Sequence, residues 1–173
     1  MESDKVIEAR EGIESTVKRY FVGVRGLRVR RRHYFKNLEG VQHSATLSIS
    51  SWSPYFRIMY CATLLCDEDR DLKSYARVPD IEGDLGWLSG RKRGTLEIMD
   101  AAVEMPVLVR INKIQTLLEE DAEKWYSRVS TPEDLRATIT ESWDGSVKNY
   151  VPFAKGALKV GIDPWPEEKP EGI

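Results

Sequence analysis

Leu27-Arg28-Val29-Arg30-Arg31-Arg32-His33-Tyr34-Phe35-Lys36-Asn37-Leu38-Glu39-Gly40-Val41-Gln42-His43-Ser44-Ala45-Thr46-Leu47-Ser48-Ile49-Ser50 is the stretch whose reading decides the fold. Side chains alternate between two characters on both sides of Leu38-Glu39-Gly40, and a period of two is the signature of a half-buried strand. A three-residue loop with Gly in the left-handed position fits that tripeptide. The spacing predicts one hairpin over 27–50, with Asn37 opposite Val41. In that register Phe35 faces His43, His33 faces Ala45, Arg31 faces Leu47 and Val29 faces Ile49. The other face pairs Lys36 with Gln42, Tyr34 with Ser44, Arg32 with Thr46, Arg30 with Ser48 and Arg28 with Ser50. One face is apolar-leaning and the other is basic and rich in hydroxyls.

Upstream, Ile13, Val17, Tyr20 and Phe21 follow i, i+4, i+7, i+8 spacing. That predicts an amphipathic helix over 6–22, ended by Gly23 and Gly26. Downstream, Trp52-Ser53-Pro54 reads as a turn. Residues 55–66 read as a third strand, apolar at both parities and therefore central or under a helix. Residues 67–80 read as a charged loop, 81–88 as a short edge strand, and 89–94 as an exposed loop holding Arg91, Lys92 and Arg93. A helix starts near Pro106, with Val107, Leu108, Ile111, Ile114, Leu117, Leu118, Ala122 and Trp125 as its apolar stripe. Ser130-Thr131-Pro132-Glu133-Asp134 is a strong helix start, and Leu135, Ile139 and Trp143 continue that helix. A weaker helix is expected over 147–160. The order helix, antiparallel strands, helices predicts a two-layer α+β domain over 1–162. Its sheet has three or four strands within 27–88, packed by the N-terminal helix and two or three C-terminal ones. Residues 163–173 are an irregular acidic, Pro-rich tail.

With 173 residues, 41% apolar and 31% charged, the chain has the composition of a globular domain large enough for a real core. Cys61 and Cys66 lie five apart on one strand, so they point to opposite faces and are read as reduced core thiols. That suits the cytoplasm. Met1 to Lys5 does not read as a signal peptide. The longest apolar run, 58–65, is far short of a membrane span.

Catalytic chemistry is hard to assemble from these residues. His33 and His43 are the only histidines, and no Cys or carboxylate stands near them in sequence, so they are read as packed or surface side chains and no metal or cofactor is expected. Gly83-Asp84-Leu85-Gly86 and Gly90-Arg91-Lys92-Arg93-Gly94 have the wrong spacing for a phosphate loop, and no Ser sits in a nucleophile elbow. The acids at 67–71 lack calcium-loop spacing, and Glu119, Glu120, Asp121 and Glu123 read as the wet face of a helix. The expectation is a protein that is not an enzyme.

The sharp feature is charge. Arg25, Arg28, Arg30, Arg31, Arg32 and Lys36 fall within twelve residues with no acid among them. Against a chain total of −2, those six positive charges leave −8 for the rest. The expected partner-binding surface is the basic hairpin face of Arg28, Arg30, Arg32, Tyr34 and Lys36. Arginine forks suit carboxylates and phosphates. An acidic protein partner ranks above nucleic acid because the chain as a whole is negative and aromatics do not interleave with the stripe. The bland alternative is a solvated strand that guards a sheet edge.

The layout resembles a bacterial family, the domain of unknown function 4304. An amphipathic helix ends near a glycine, then comes Gly26-Leu27-Arg28-Val29-Arg30-Arg31-Arg32-His33-Tyr34-Phe35. The polar alternating strand Ala45-Thr46-Leu47-Ser48-Ile49-Ser50 follows, then Asp84-Leu85-Gly86-Trp87, and a late helix that runs into Ser130-Thr131-Pro132-Glu133-Asp134-Leu135. The match spans about residues 10–142, and none of its motifs is catalytic. The 67–80 loop and the acidic tail depart from it. The resemblance implies an α+β fold and no established activity, and by analogy a non-enzymatic immunity-type inhibitor or regulator in a bacterial toxin system.

Overall fold

The structure, a computed structural model, describes residues 4–65, 79–85, 97–142 and 156–163. Helix α1 (Asp4–Lys18) buries Ala9, Ile13, Thr16 and Val17 and runs directly into a π-helical turn, Arg19–Val24. The wider turn closes with the Arg25 amide donating to the Tyr20 carbonyl at 3.1 Å, and it buries both Tyr20 and Phe21. Gly26 then takes φ +67, which reverses the chain into the sheet.

Five strands form an antiparallel meander in the order β1-β2-β3-β4-β5: β1 (Arg28–Arg30), β2 (His33–Asn37), β3 (Val41–Ile49), β4 (Phe56–Leu64) and β5 (Ile81–Asp84). The long strand expected over 27–37 is therefore two strands. The chain turns back at Arg31 and Arg32, and Arg28 pairs with Phe35, Val29 with Tyr34 and Arg30 with His33. The expected register of the second hairpin is also off by one. Asn37 lies opposite Gln42, Tyr34 opposite Ala45 and His33 opposite Thr46. The Leu38 amide donates to the Val41 carbonyl at 2.7 Å, so the loop has two residues, Glu39 and Gly40, with Gly40 at φ +78.

A one-residue slip exchanges the faces of a whole strand. Tyr34 is consequently in the core at 1% exposure, while Phe35 and His33 share the opposite face with Ser44 and Thr46. The core face carries Val41, Ala45, Leu47, Ile58, Tyr60 and Ile81. Phe21 stacks on Tyr34 at 5.2 Å and meets Tyr60 edge-on at 6.4 Å.

Helix α2 (Val107–Leu117) starts just after Pro106 and approaches α1 at Gly12, where an added Cβ would stand 3.0 Å from Ile111 Cδ1. A second π-helical turn (Leu118–Ala122) joins it to α3 (Glu123–Ser127). Tyr60 packs on Trp125 and on Tyr126, each at 5.8 Å between ring centroids. Leu108, expected in the stripe, faces solvent. Asp121, expected on the wet face, is buried, because the extra residue per π turn rotates it inward. Thr131 Oγ1 accepts the Asp134 amide at 3.1 Å and caps α4 (Pro132–Ser142), which buries Leu135 and Ile139. Among the described residues, α1 and the later helices pack on the Val41, Ala45 and Tyr60 face of an antiparallel sheet, which makes this an α+β fold.

Of the late segment expected as a helix, 156–159 is helical, and 147–155 lies outside the described residues. So do Cys66, the acids at 67–71, the basic loop at 91–93, Trp143 and the tail from 164 onward. No helix among the described residues is long and apolar enough to cross a membrane.

Candidate interaction surface

The basic segment becomes an edge. Strand β1 is at one end of the sheet, and all three of its residues are exposed. Cross-strand partners share a face, so Arg28 and Arg30 stand with Phe35 and His33 on the side away from the helices, and Val29 points to the other side. The turn that follows puts Arg31 at φ +59. A side chain there crowds its own carbonyl, at about 1–2 kcal/mol, and Gly is the residue that avoids the crowding.

The five residues expected to form one basic face are not all together. Arg28 and Arg30 share a surface. Arg32 is in the turn and is bound by Glu14, Nη2 to Oε2 at 3.1 Å. Tyr34 is inside, where burial and nearby Glu14 push its phenol up to about 12. Lys36 is exposed, but it lies opposite His43 on the other face. Arg25 leaves the stripe altogether. Its guanidinium binds Glu123 and lies 4.2 Å from the centre of the Tyr126 ring. Tyr20 donates to the same Glu123 oxygen at 2.7 Å. Burial opposes both charges, and the hydrogen bonds outweigh it: Arg25 is raised and Glu123 is lowered.

Two residues were not anticipated. Arg31 belongs with Arg28 and Arg30 because the chain turns there, and none of these three arginines has a carboxylate partner among the described residues. Trp52, read as part of a turn, is 97% exposed, whereas Trp125 is 4% exposed. An indole offers roughly 200 Å² for burial, about 5 kcal/mol gross against a partner. Beside its loop, Ser48, Ser50, Tyr55, Arg57, Asp84 and Met99 border a cleft of ≈ 700 Å³. Two of these lining residues are paired, Arg57 Nε donating to Asp84 Oδ1.

The remaining polar clusters hold the fold. The two histidines lie on opposite faces of the sheet, not one as expected, again because of the register. His33 Nδ1 meets Thr46 Oγ1 at 3.0 Å, and His43 Nε2 donates to the Val129 carbonyl at 2.8 Å. No group of three or more His, Cys, Asp or Glu side chains that could hold a metal occurs among the described residues. Arg110, buried, donates to the carbonyls of Ile98 and Val103 at 2.6 Å each and of Asp100 at 2.8 Å, which ties down the 97–103 segment. Asp80, fully buried, accepts the Leu64 amide and Lys159 Nζ, each at 2.7 Å.

Compared with family models, with curated proteins and with solved structures, the chain matches none.

Proposed function

We propose that this chain is a non-enzymatic protein-binding domain that takes an acidic protein partner on its arginine-bearing edge. The observation that carries the reading is the state of Arg28, Arg30 and Arg31. In a chain with more acids than bases, these three are exposed at one edge with no internal carboxylate among the described residues. The strain accepted at Arg31 supports it, because a turn built only for folding would place Gly there. The resemblance to the domain of unknown function 4304 adds the role of an immunity-type inhibitor or regulator in a bacterial toxin system. Cys61, a buried free thiol, fits the reducing cytoplasm.

The test is the triple variant Arg28→Ser, Arg30→Ser, Arg31→Ser. It does not lower the melting temperature, since exposed unpaired charges contribute little to folding. It slows association with the acidic partner, most at low salt. A triple variant that binds the partner at the native rate overturns the reading. Tight, steeply salt-dependent binding of generic DNA or RNA by the native chain replaces it with a nucleic-acid module that uses the same arginines.

A further inference from the structure

We infer that Trp52 is a pre-organised anchor of the same interface, and that the partner is an acidic polypeptide with aromatic residues among its carboxylates. This rests on the proposed reading of the arginine edge and adds a second contact to it.

The connector between β3 and β4 is tied by several hydrogen bonds. Ser50 Oγ accepts the amides of Trp52 and Ser53 at 3.2 and 3.0 Å. The Ser50 amide donates to the Tyr55 carbonyl at 3.0 Å, and Pro54 accepts the Ala101 amide at 3.1 Å. From α1, Arg10 Nη2 donates to the carbonyls of Ser50 and Ser53 at 3.2 and 2.6 Å. None of these bonds uses the indole. The loop would hold its shape with any side chain at position 52, yet it carries the largest apolar one, directed into water. A loop already fixed in shape, carrying an aromatic with only two side-chain torsions, loses little conformational freedom on binding.

The loop also stands beside the arginines. Arg30, His33, Thr46, Met59 and Asp84 lie in register across the sheet. β3 runs on past Thr46 toward Ser50, and the Arg32 carbonyl accepts the Leu47 amide at 3.0 Å. The Arg31 turn and the Trp52 loop thus lie toward the same end of the sheet, one to two strand spacings apart laterally and with the loop three residues further along β3, about 10–15 Å in all. Helix α1 holds both: Arg10 grips the loop, and Glu14, one turn later on the same helix face, grips Arg32. Trp, Tyr and Arg are the residue types that dominate protein interfaces. Unpaired cations beside an open indole match carboxylates interspersed with aromatic rings.

The probes are a random glutamate–tyrosine copolymer, poly-glutamate and oligothymidylate, titrated at low salt. The Trp52 signal is the fluorescence difference between the native chain and Trp52→Phe. The copolymer is expected to bind about fivefold more tightly than poly-glutamate and to shift the Trp52 emission to the blue. Trp52→Ala removes that preference, and the folded arginine triple variant loses both polymers. If the triple variant loses both polymers but the copolymer has no preference that depends on Trp52, the anchor is overturned and the arginine edge stands. If neither polymer binds, both fall. If oligothymidylate binds more tightly than the copolymer and does so through Trp52, the partner class is wrong.

Discussion

His43 packs against Tyr126 with ring centroids 4.7 Å apart, and its Nε2–H donates to the Val129 carbonyl, which fixes that nitrogen as the donor. Burial, ahead of the repulsion from Arg25 and Lys36, lowers its value from 6.5 to about 4. The unfolded chain then binds the extra proton between those values. Stability is complete above about pH 6.5 and is lost as the pH falls toward 4, by about 3 kcal/mol. Denaturant midpoints for the native chain should drop over that window. His43→Gln, which can still donate to Val129, should flatten the drop between pH 6.5 and 4.5. Glu123, lowered, adds a loss of the same sign at the acid end, so the variant does not become pH-independent below that. At Arg31 the sign is opposite: Arg31→Gly relieves φ +59 and should raise the melting temperature by a degree or two, part of the gain being lost to the entropy of a glycine in the unfolded chain. Neither effect is legible in sequence, because each depends on what lies across the sheet.

At the scale of elements, the second hairpin shows how far alternation carries. The two parities of β3 differ plainly, Val41, Ala45, Leu47 and Ile49 against Gln42, Ser44, Thr46 and Ser48, and they take opposite faces as expected, although Gln42 and Ser44 are buried. β2 has an aromatic at each parity, Tyr34 and Phe35, so pattern alone cannot orient it and loop length decides. A three-residue loop puts Phe35 with His43, and the two-residue loop actually formed puts Tyr34 with Ala45. The break at Arg31 and Arg32 carries no Gly, Pro or Asn to announce it. Tyr34→Ala should therefore cost about 3 kcal/mol, through lost packing on Phe21 and the cavity left behind, as read by denaturant unfolding. In the expected register the same change would have trimmed a surface side chain at little cost. Gly40→Ala should also destabilise, by roughly 1–2 kcal/mol: it meets a φ of +78, and its Cβ would stand 2.6 Å from Pro132 Cγ. That contact explains why the loop is tight: the start of α4 sits against it.

Across the whole molecule, charge is used in two ways that the sequence shows only as composition. Some cations are spent inside: Lys159 on Asp80, Arg110 on backbone carbonyls, Arg25 on Glu123. The rest of the basic segment is outside, and its segregation was legible as six cations without an acid, although which of them share a surface was not. That depended on the turn at Arg31, and the nearness of Trp52 depended on α1 holding both loops. The two uses respond differently to salt. Arg28, Arg30 and Arg31 crowd like charges at one edge, with Arg32 only partly neutralised by Glu14. At low ionic strength this repulsion opposes folding, so the Arg28→Ser, Arg30→Ser, Arg31→Ser variant should melt roughly 1–2 °C above the native chain. At 1 M salt, where screening acts within about 3 Å, the difference should vanish. Lys159→Met should behave in the opposite way. It leaves the Asp80 carboxylate buried beside the Leu64 amide without its cation, at a cost of about 3 kcal/mol that salt does not remove, because the site is closed to ions. Melting both variants across a salt series separates the two kinds of charge. A triple variant that melts well below the native chain at every salt concentration would show that the edge arginines help to hold the fold and are not free for a partner.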